Sequence, residues 1–194
     1  MEIIISILTI FLTLFAVIDM IGNVPLIIKL RKEYGEVESL KSTIISTLIM
    51  ILFLFTGSYL FKFIGIEMYH FALAGSFLIL YFGIKMVLGV EDKKTKKQSM
   101  NATVFPIAFP LISGPGTLST IISLKSEFSS IEIIIGILLN SILIYLILKS
   151  ADWIKDKVGL VGITLMERVF GIILIAIGMK ILINNLVLSI QSIL

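Results

Sequence analysis

Long apolar stretches alternate with short polar connections along the sequence. Six of these stretches are long enough to cross a bilayer, whose hydrocarbon core requires about 20 apolar residues in a helix. The connections between them are too short to hold a soluble domain. The pattern therefore predicts an all-α membrane protein with six transmembrane helices, near residues 3–28, 40–62, 68–90, 102–124, 130–149 and 166–190.

Composition supports the membrane class and narrows the chemistry. Of the 194 residues, 58% are hydrophobic, which is more than a soluble domain of this size needs to fill its core. Cysteine is absent, which excludes disulfides, thiolate metal sites and cysteine nucleophiles. The formal net charge is only +3, and the basic residues flank the spans. We therefore expect a surrounding lipid bilayer, and no bound cofactor, metal or nucleic acid.

The basic residues are distributed unevenly between the two sides of the predicted bundle. Twelve of the 16 lysines and arginines lie in the connections 28–41, 90–102 and 149–168, whereas only Lys62 and Lys125 lie in the connections on the opposite side. An excess of Lys and Arg in short loops marks the cytoplasmic side. The sequence therefore predicts a multi-pass protein of the cell membrane with both termini extracytoplasmic.

The two halves of the chain share a pattern. The sequence Gly83-Ile84-Lys85 near the end of the third span has a counterpart in Gly178-Met179-Lys180 near the end of the sixth, 95 residues later. Three spans in each half place the start of the second half on the opposite side of the membrane, so the halves would be inverted repeats, as in many secondary transporters. We predict one membrane domain with repeats at residues 1–97 and 98–194.

Small residues predict where the helices pack together. Glycine lets two helix backbones approach closely inside a membrane. We expect such contacts at Gly75, Gly83, Gly171 and Gly178.

Helix-breaking runs occur at matching places in the first and fourth spans. The first run extends from Asp19 to Pro25, and the second from Pro110 to Thr117. Proline removes a backbone hydrogen bond and disfavours a helical residue before it, while glycine adds backbone freedom. A kink in each helix is the alternative interpretation. The matched pair favours two discontinuous helices, which in a transporter indicate the binding site.

The residues of the two runs form a candidate solute site. A helix break exposes N–H groups that can hold a carboxylate, and carbonyl groups that can hold an ammonium or a cation. A small amino acid fits this chemistry, as would an ion or another small polar solute. The candidate substrate-binding residues are Asp19, Met20, Gly22, Asn23, Ser113, Gly114, Gly116 and Thr117, and the helix-breaking prolines are Pro25, Pro110 and Pro115.

Asp19 is the only acidic residue deep inside a predicted span. Because a charge there is costly, we expect it to face a cavity or a partner. It could bind a substrate ammonium, carry a coupling proton or cation, or cap the second half-helix. For Asn23 and Thr117, satisfying freed backbone groups competes with contacting the solute. Lys85 and Lys180 are interpreted as snorkelling toward the headgroups, with an ion pair to Asp19 as the alternative.

These motifs resemble a known family of membrane proteins. The run from Ile18-Asp19 to Pro25, the run from Phe109 to Thr117 with its Gly-Pro-Gly core, and Arg168-Val169-Phe170-Gly171 look like the MarC family, which includes SnatA-like neutral amino acid transporters. The similarity covers essentially the whole chain. One departure is Met20, which stands where the family usually has proline after the aspartate and could soften the first break.

The resemblance implies six spans in two inverted three-helix repeats, with discontinuous first and fourth helices that meet at the substrate. It also implies transport of small neutral amino acids such as glycine and alanine. The leading hypothesis is a secondary transporter that works by alternating access. Because no nucleotide-binding motif is present, a proton gradient, a sodium gradient or the gradient of the substrate itself would supply the energy.

Three other functions compete with this hypothesis. A channel or exporter for another small solute or ion is the main alternative, and a non-transporting membrane scaffold is another. An intramembrane enzyme is disfavoured, because the spans offer one acid and no Ser–Lys or paired-carboxylate arrangement. We therefore expect no enzymatic activity.

Overall fold

The computed structural model of the chain is all-helical in the part that it describes, which comprises residues 2–20, 22–34, 37–89, 103–125 and 127–192. This confirms the predicted all-α class. The boundary predicted between residues 97 and 98 and the basic connection 90–102 lie outside the described residues. The helices are α1 (Glu2–Ile18), α2 (Val24–Tyr34), α3 (Ser39–Ile64), α4 (Met68–Leu88), α5 (Pro115–Leu124) and α6 (Ser130–Gln191), and an irregular wide segment covers Thr103–Ile112.

Within the described residues, four helical stretches are long and apolar enough to cross a membrane. They are α3, α4 and two parts of α6, Ser130–Ala151 and Thr164–Gln191. The wide segment and α5 together form a fifth candidate span, with a bend of 48° between them. α1 is apolar but has only 17 residues. Four or five candidate spans indicate a multi-pass membrane protein. A sixth span composed of α1 and α2 stays a prediction.

The polar connection expected between the fifth and sixth spans is itself helical. α6 continues from Ser130 to Gln191, and its direction changes at Gly159, whose dihedral angles are not helical (φ 71°, ψ 168°). The chain has no proline after Pro115, so helical hydrogen bonding can continue on both sides of this glycine. The two apolar parts of α6 are therefore joined through a helical connection and not through an open loop.

The charged helix α2 lies inside the bundle. Every residue from Gly22 to Leu30 is buried, including Lys29, which is only 5% exposed. By contrast, Phe63 is 91% exposed and Ile131 is 72% exposed on the outer helices. In water, a large exposed apolar surface would mark an interaction site, and here lipid is the natural cover for it. The protein thus surrounds a polar helix with helices whose outer faces suit a bilayer.

Glycines join α4 closely to the second part of α6. A Cβ atom added to Gly83 would lie 2.8 Å from Ile175, and one added to Gly178 would lie 2.9 Å from Leu80. These two contacts are reciprocal. Position 175 is the counterpart of position 80, and position 178 is the counterpart of position 83, each 95 residues later in the sequence, so both contacts join the same two pairs of counterparts. The pairing of 83 with 175 and of 80 with 178 also shows that the two helices run in opposite directions.

The other two glycines predicted at helix contacts are also closely packed. Gly75 lies directly against the ring of Pro115, and a Cβ atom on Gly171 would lie 2.9 Å from Met86. All four predicted contact glycines are therefore confirmed.

Gly178→Val should destabilise the protein, because the added side chain has no space against Leu80. Overpacking a close helix contact costs about 1–3 kcal/mol. We expect thermal unfolding of the purified protein in detergent at a lower temperature than for the unmodified chain. Ala176→Val is the matched control on the same helix, since Ala176 is exposed on the outer face. An equal effect of the two substitutions would contradict the contact.

Candidate functional site

Asp19 holds the first helix break. α1 ends at Ile18, and Asp19 adopts a left-handed backbone conformation with φ 46°, which is uncommon for residues other than glycine. Its Oδ1 atom accepts a hydrogen bond from the backbone N–H of Gly22 at 3.2 Å. Gly22 leaves no space for a side chain, because a Cβ atom would lie 2.8 Å from the carboxyl carbon of Asp19. This bond satisfies an N–H group of the break itself, before α2 begins at Val24, and the capping, substrate and coupling roles of Asp19 stay predictions.

The second break lies between Ile112 and Pro115. Phe109 in the preceding wide segment has extended dihedral angles (φ −139°, ψ 131°), and α5 begins at Pro115. Gly114 lies against the carbonyl oxygen of Pro110, so a Cβ atom would not fit there. Proline suits the first position of a helix, because that N–H would have no partner within the helix. Both predicted breaks are therefore discontinuities of the helix.

The two breaks satisfy their freed carbonyl groups in the same way. At the first, the Asn23 side-chain Nδ2 donates a hydrogen bond to the Ile18 carbonyl at 3.0 Å. At the second, the Thr117 hydroxyl donates to the Ile112 carbonyl at 2.9 Å. In each case, a polar side chain donates a hydrogen bond to the last carbonyl of the preceding helical segment, five residues earlier in the sequence. The predicted role of Asn23 and Thr117 in satisfying the backbone is confirmed.

A cavity of about 420 Å³ lies between the two breaks. The structure therefore brings the two helix-breaking runs, about 90 residues apart in the sequence, to one site. Seven of the predicted site residues line this cavity: Asp19, Asn23, Pro110, Gly114, Pro115, Gly116 and Thr117.

The other four predicted site residues lie behind the cavity wall and support the breaks. Met20 is 2% exposed and packs in the hydrophobic core, and Gly22 packs against the Asp19 carboxylate. Pro25 lies in the first turn of α2. The Ser113 hydroxyl is fully buried and donates a hydrogen bond to the Ala108 carbonyl at 2.6 Å. These positions shape the backbone of the site without facing the cavity.

Several cavity residues were not expected from the sequence. A stripe along α6 from Leu174 to Asn185 lines the cavity, with Lys180 and the pair Asn184-Asn185 as its polar members. Two adjacent asparagines in an apolar span are visible in the sequence and could have indicated a polar cavity. The apolar lining, in contrast, comes from ordinary span residues such as Phe82, which only the packing distinguishes.

The Asn23 amide holds an unpaired, buried acceptor in the wall of this site. Asn23 is 4% exposed and lines the cavity. Its Oδ1 atom has no hydrogen-bond partner in the described part of the chain. The bond from Nδ2 to the Ile18 carbonyl fixes the orientation of the amide, because the reversed amide would set two oxygen atoms against each other. A buried acceptor without a partner is costly, so it needs a donor from a ligand or from water.

The cavity is closed at the end where α2 and α4 meet. Leu26 and Phe82 line both the cavity and a void of only about 10 Å³ beyond it, next to Lys29 and Lys85. A void of this volume is at the lower limit for one water molecule. The Lys29 ammonium donates a hydrogen bond to the Lys85 carbonyl at 3.3 Å, which joins α2 to α4 just beyond this apolar pair.

Lys85 is covered by protein, and the predicted snorkelling of its ammonium group toward the headgroups stays a prediction. Lys85 is only 8% exposed, and Lys29 of α2 donates a hydrogen bond to its carbonyl. Lys180, in contrast, is exposed and forms part of the cavity wall. Asp19 forms no ion pair with either lysine among the contacts of the described residues.

Comparison with known proteins identifies the family. The model of the MarC family, described as integral membrane proteins, matches residues 4–190. The chain belongs to the MarC family. A UPF0056 membrane protein of Methanocaldococcus jannaschii is 30% identical over 191 residues, covering 91% of this chain and 93% of the relative.

Other relatives have the same extent. A UPF0056 membrane protein of Pyrococcus abyssi is 30% identical and covers 96% of both chains. The UPF0056 membrane protein YvbG of Bacillus subtilis is 30% identical over 88% of this chain and 90% of its own length. No solved structure is significantly similar to the chain. The similarity to the family therefore extends over both helix breaks and the cavity between them.

Proposed function

We propose that this protein is a secondary transporter of small neutral amino acids, such as glycine and alanine, in the cell membrane. The proposal includes six membrane spans in two inverted three-helix repeats, with both termini outside the cytoplasm. Transport, and not catalysis, is the proposed activity. Its main support is a cavity shared by two broken helices, with the unpaired, buried Oδ1 of Asn23 in its wall.

The cavity offers complementary groups for the two charged ends of an amino acid. In the proposed complex, a small movement of the wall would let the buried Asn23 Oδ1 atom accept a hydrogen bond from the ammonium group, and the Asp19 carboxylate, also in the cavity wall, would add negative charge. The backbone N–H of Leu118 already donates to the Gly114 carbonyl at 2.9 Å. The amides of Gly116 and Thr117 precede that bond at the helix N-terminus, where partial positive charge favours a carboxylate.

The cavity wall also favours a small side chain. Gly116 lines the cavity, and a Cβ atom on it would first contact Val17, at 3.7 Å. The space in front of this glycine is therefore open to a solute atom. Glycine, Ala16 and Ala72 in the wall, together with Leu174 and Ile177, leave an apolar surface for the remainder of the solute. A charged side chain placed against these apolar groups would lose part of its hydration.

The closed end at Leu26 and Phe82 favours a transporter over a channel, which is the alternative function. A channel for a small solute or ion needs a continuous path, whereas this cavity ends at two apolar side chains. In the proposed mechanism, the two repeats rock around the solute and open the opposite end. Asp19 would interact with a coupling proton or sodium ion, if one is used.

Uptake of radiolabelled glycine into liposomes that contain the purified protein tests this function. We expect saturable uptake that unlabelled alanine inhibits and that lysine and glutamate do not inhibit. Imposed proton and sodium gradients would identify a coupling ion. The same rate in liposomes without protein, under every gradient, would reject amino acid transport. A rate that does not saturate would favour the channel.

Asn23→Leu should reduce kcat/KM for glycine by about 10- to 100-fold, because it removes the acceptor for a charged donor. Thr117→Val is the matched control, since it deletes the equivalent hydrogen bond to the preceding segment but leaves the Asn23 acceptor. We expect a smaller decrease for Thr117→Val. Equal decreases in the two variants would show that Asn23 acts only on the backbone. Thermal unfolding in detergent would check that both variants are folded.

Gly116→Ala should discriminate between solutes by size. The added methyl group fits sterically but projects into the cavity, so KM should rise more for alanine than for glycine, by about tenfold or less. Gly114→Ala is the contrasting variant, because its Cβ atom would collide with the Pro110 carbonyl oxygen and disturb the break. We expect loss of folded protein for Gly114→Ala. Equal KM changes for both solutes in Gly116→Ala would argue against a size limit at this position.

A further inference from the structure

Lys180 is a charged residue inside the second apolar part of α6, and it lines the cavity. Among the described residues of the cavity wall, Asp19 is the only other one with an ionisable side chain. Lys180 is exposed and has no hydrogen-bond or ion-pair partner in the described part of the chain. A charge inside a membrane normally faces a partner or a water-filled cavity, which makes it a candidate functional group. The cavity thus contains an acid and a base that are not paired with each other.

The antiparallel register of α4 and α6 gives the level of each residue along the cavity. Leu80 packs against Gly178 in the middle of the contact. Near the ends of the two helices, the Tyr69 hydroxyl donates a hydrogen bond to the Ser192 hydroxyl at 2.8 Å. Both pairs fit one register, which sets position 75 of α4 beside positions 183 and 184 of α6.

This register places the polar residues of α6 at the level of the second helix break. Gly75 lies directly against the ring of Pro115, the first residue of α5. Asn184 is at the level of this contact, and Lys180 is one helical turn away, about 5 Å along the axis. Both residues line the cavity. A lysine has a flexible four-carbon stem, so its ammonium can approach the N-terminus of α5 from this position.

We propose that Lys180 is the anion-recognising residue of the cavity, and that it binds the carboxylate of the solute together with the amides of Gly116 and Thr117 at the start of α5. This inference rests on the proposed transport function and names the group that selects the substrate. Because Asp19 carries the opposite charge, the cavity offers one fixed charge to each end of a zwitterion. An amine without a carboxylate leaves the Lys180 ammonium without its partner, so the cavity prefers amino acids to simple amines.

Binding of glycine to the purified protein in detergent tests this assignment. Glycinamide is the diagnostic competitor, because it keeps the ammonium group and replaces the carboxylate with a neutral amide. Lys180→Met removes the charge and keeps a long, flexible side chain. We expect it to lower the ratio of glycine affinity to glycinamide affinity by about tenfold, mainly through weaker binding of glycine. Lys180→Arg, which keeps the charge, should retain the glycine affinity to within about threefold.

Two controls separate anion recognition from a structural role. Lys62→Met removes an equal charge from the exposed end of α3, outside the cavity lining, and should leave the affinity ratio unchanged. Thermal unfolding in detergent should occur at the same temperature for Lys180→Met and for the unmodified chain, since Lys180 is exposed. Equal weakening of glycine and glycinamide by Lys180→Met, or no change in either, would overturn the assignment.

A second experiment does not depend on the identity of the solute. The chain has no cysteine, so Ser119→Cys introduces a single thiol into the cavity wall, on α5. Its reaction rate is measured with a sulfonate-bearing and with a trimethylammonium-bearing methanethiosulfonate reagent. Lys180→Met should lower the ratio of the anionic to the cationic rate by about 3- to 10-fold, because the ammonium attracts the anionic reagent. Lys62→Met should leave this ratio unchanged.

The two experiments distinguish failure of this inference from failure of the proposed function. An unchanged rate ratio in Lys180→Met would mean that the ammonium does not act on the cavity, and would overturn the inference even if glycine is transported. A lower rate ratio, with no binding of glycine or alanine to the unmodified chain, would reject the proposed function and keep Lys180 as an anion-recognising residue. A lower rate ratio with selective loss of glycine binding would support both.

Discussion

The structure depends on satisfying the backbone groups that two helix breaks release inside a membrane. Lipid offers them no hydrogen bonds, so protein must supply the partners. The amide of Asn23 and the hydroxyl of Thr117 bond to the last carbonyls of the preceding segments, and the Asp19 carboxylate accepts the N–H of Gly22. These bonds hold the backbone open at two places and leave helix-terminal groups next to a cavity. The candidate site is a consequence of this arrangement.

The position of α2 follows from the same constraint. A helix that carries Lys29 and Arg31 is too polar to face lipid, and here it is covered by its neighbours. Arg31 donates hydrogen bonds to the Leu148 carbonyl at 2.8 Å and to the Ser39 hydroxyl at 2.9 Å, and Lys29 donates to the Lys85 carbonyl. The polar helix therefore joins α3, α4 and α6. One end of the cavity is closed where this helix meets α4.

The glycine contact between α4 and α6 combines close packing with reciprocity. Each helix places a side chain against a glycine of the other: Leu80 lies against Gly178, and Ile175 lies against Gly83. The contact is therefore self-complementary. Gly83 and Gly178 hold α4 and α6 closely together beside the cavity, whose wall includes Phe82 of α4 and Leu174 of α6.

The sequence by itself determined the membrane class, the MarC resemblance, the two breaks and the four packing glycines. Each depends on local chemistry, namely apolar length, proline and glycine geometry, and the lack of a side chain. It did not determine that Met20 and Ser113 lie behind the cavity wall while Asn184 and Asn185 line it, because helix rotation depends on neighbouring packing. Nor did it place Lys85 in the interior: burial of a long cationic side chain depends on the neighbouring helices that cover it, and only the tertiary structure decides that.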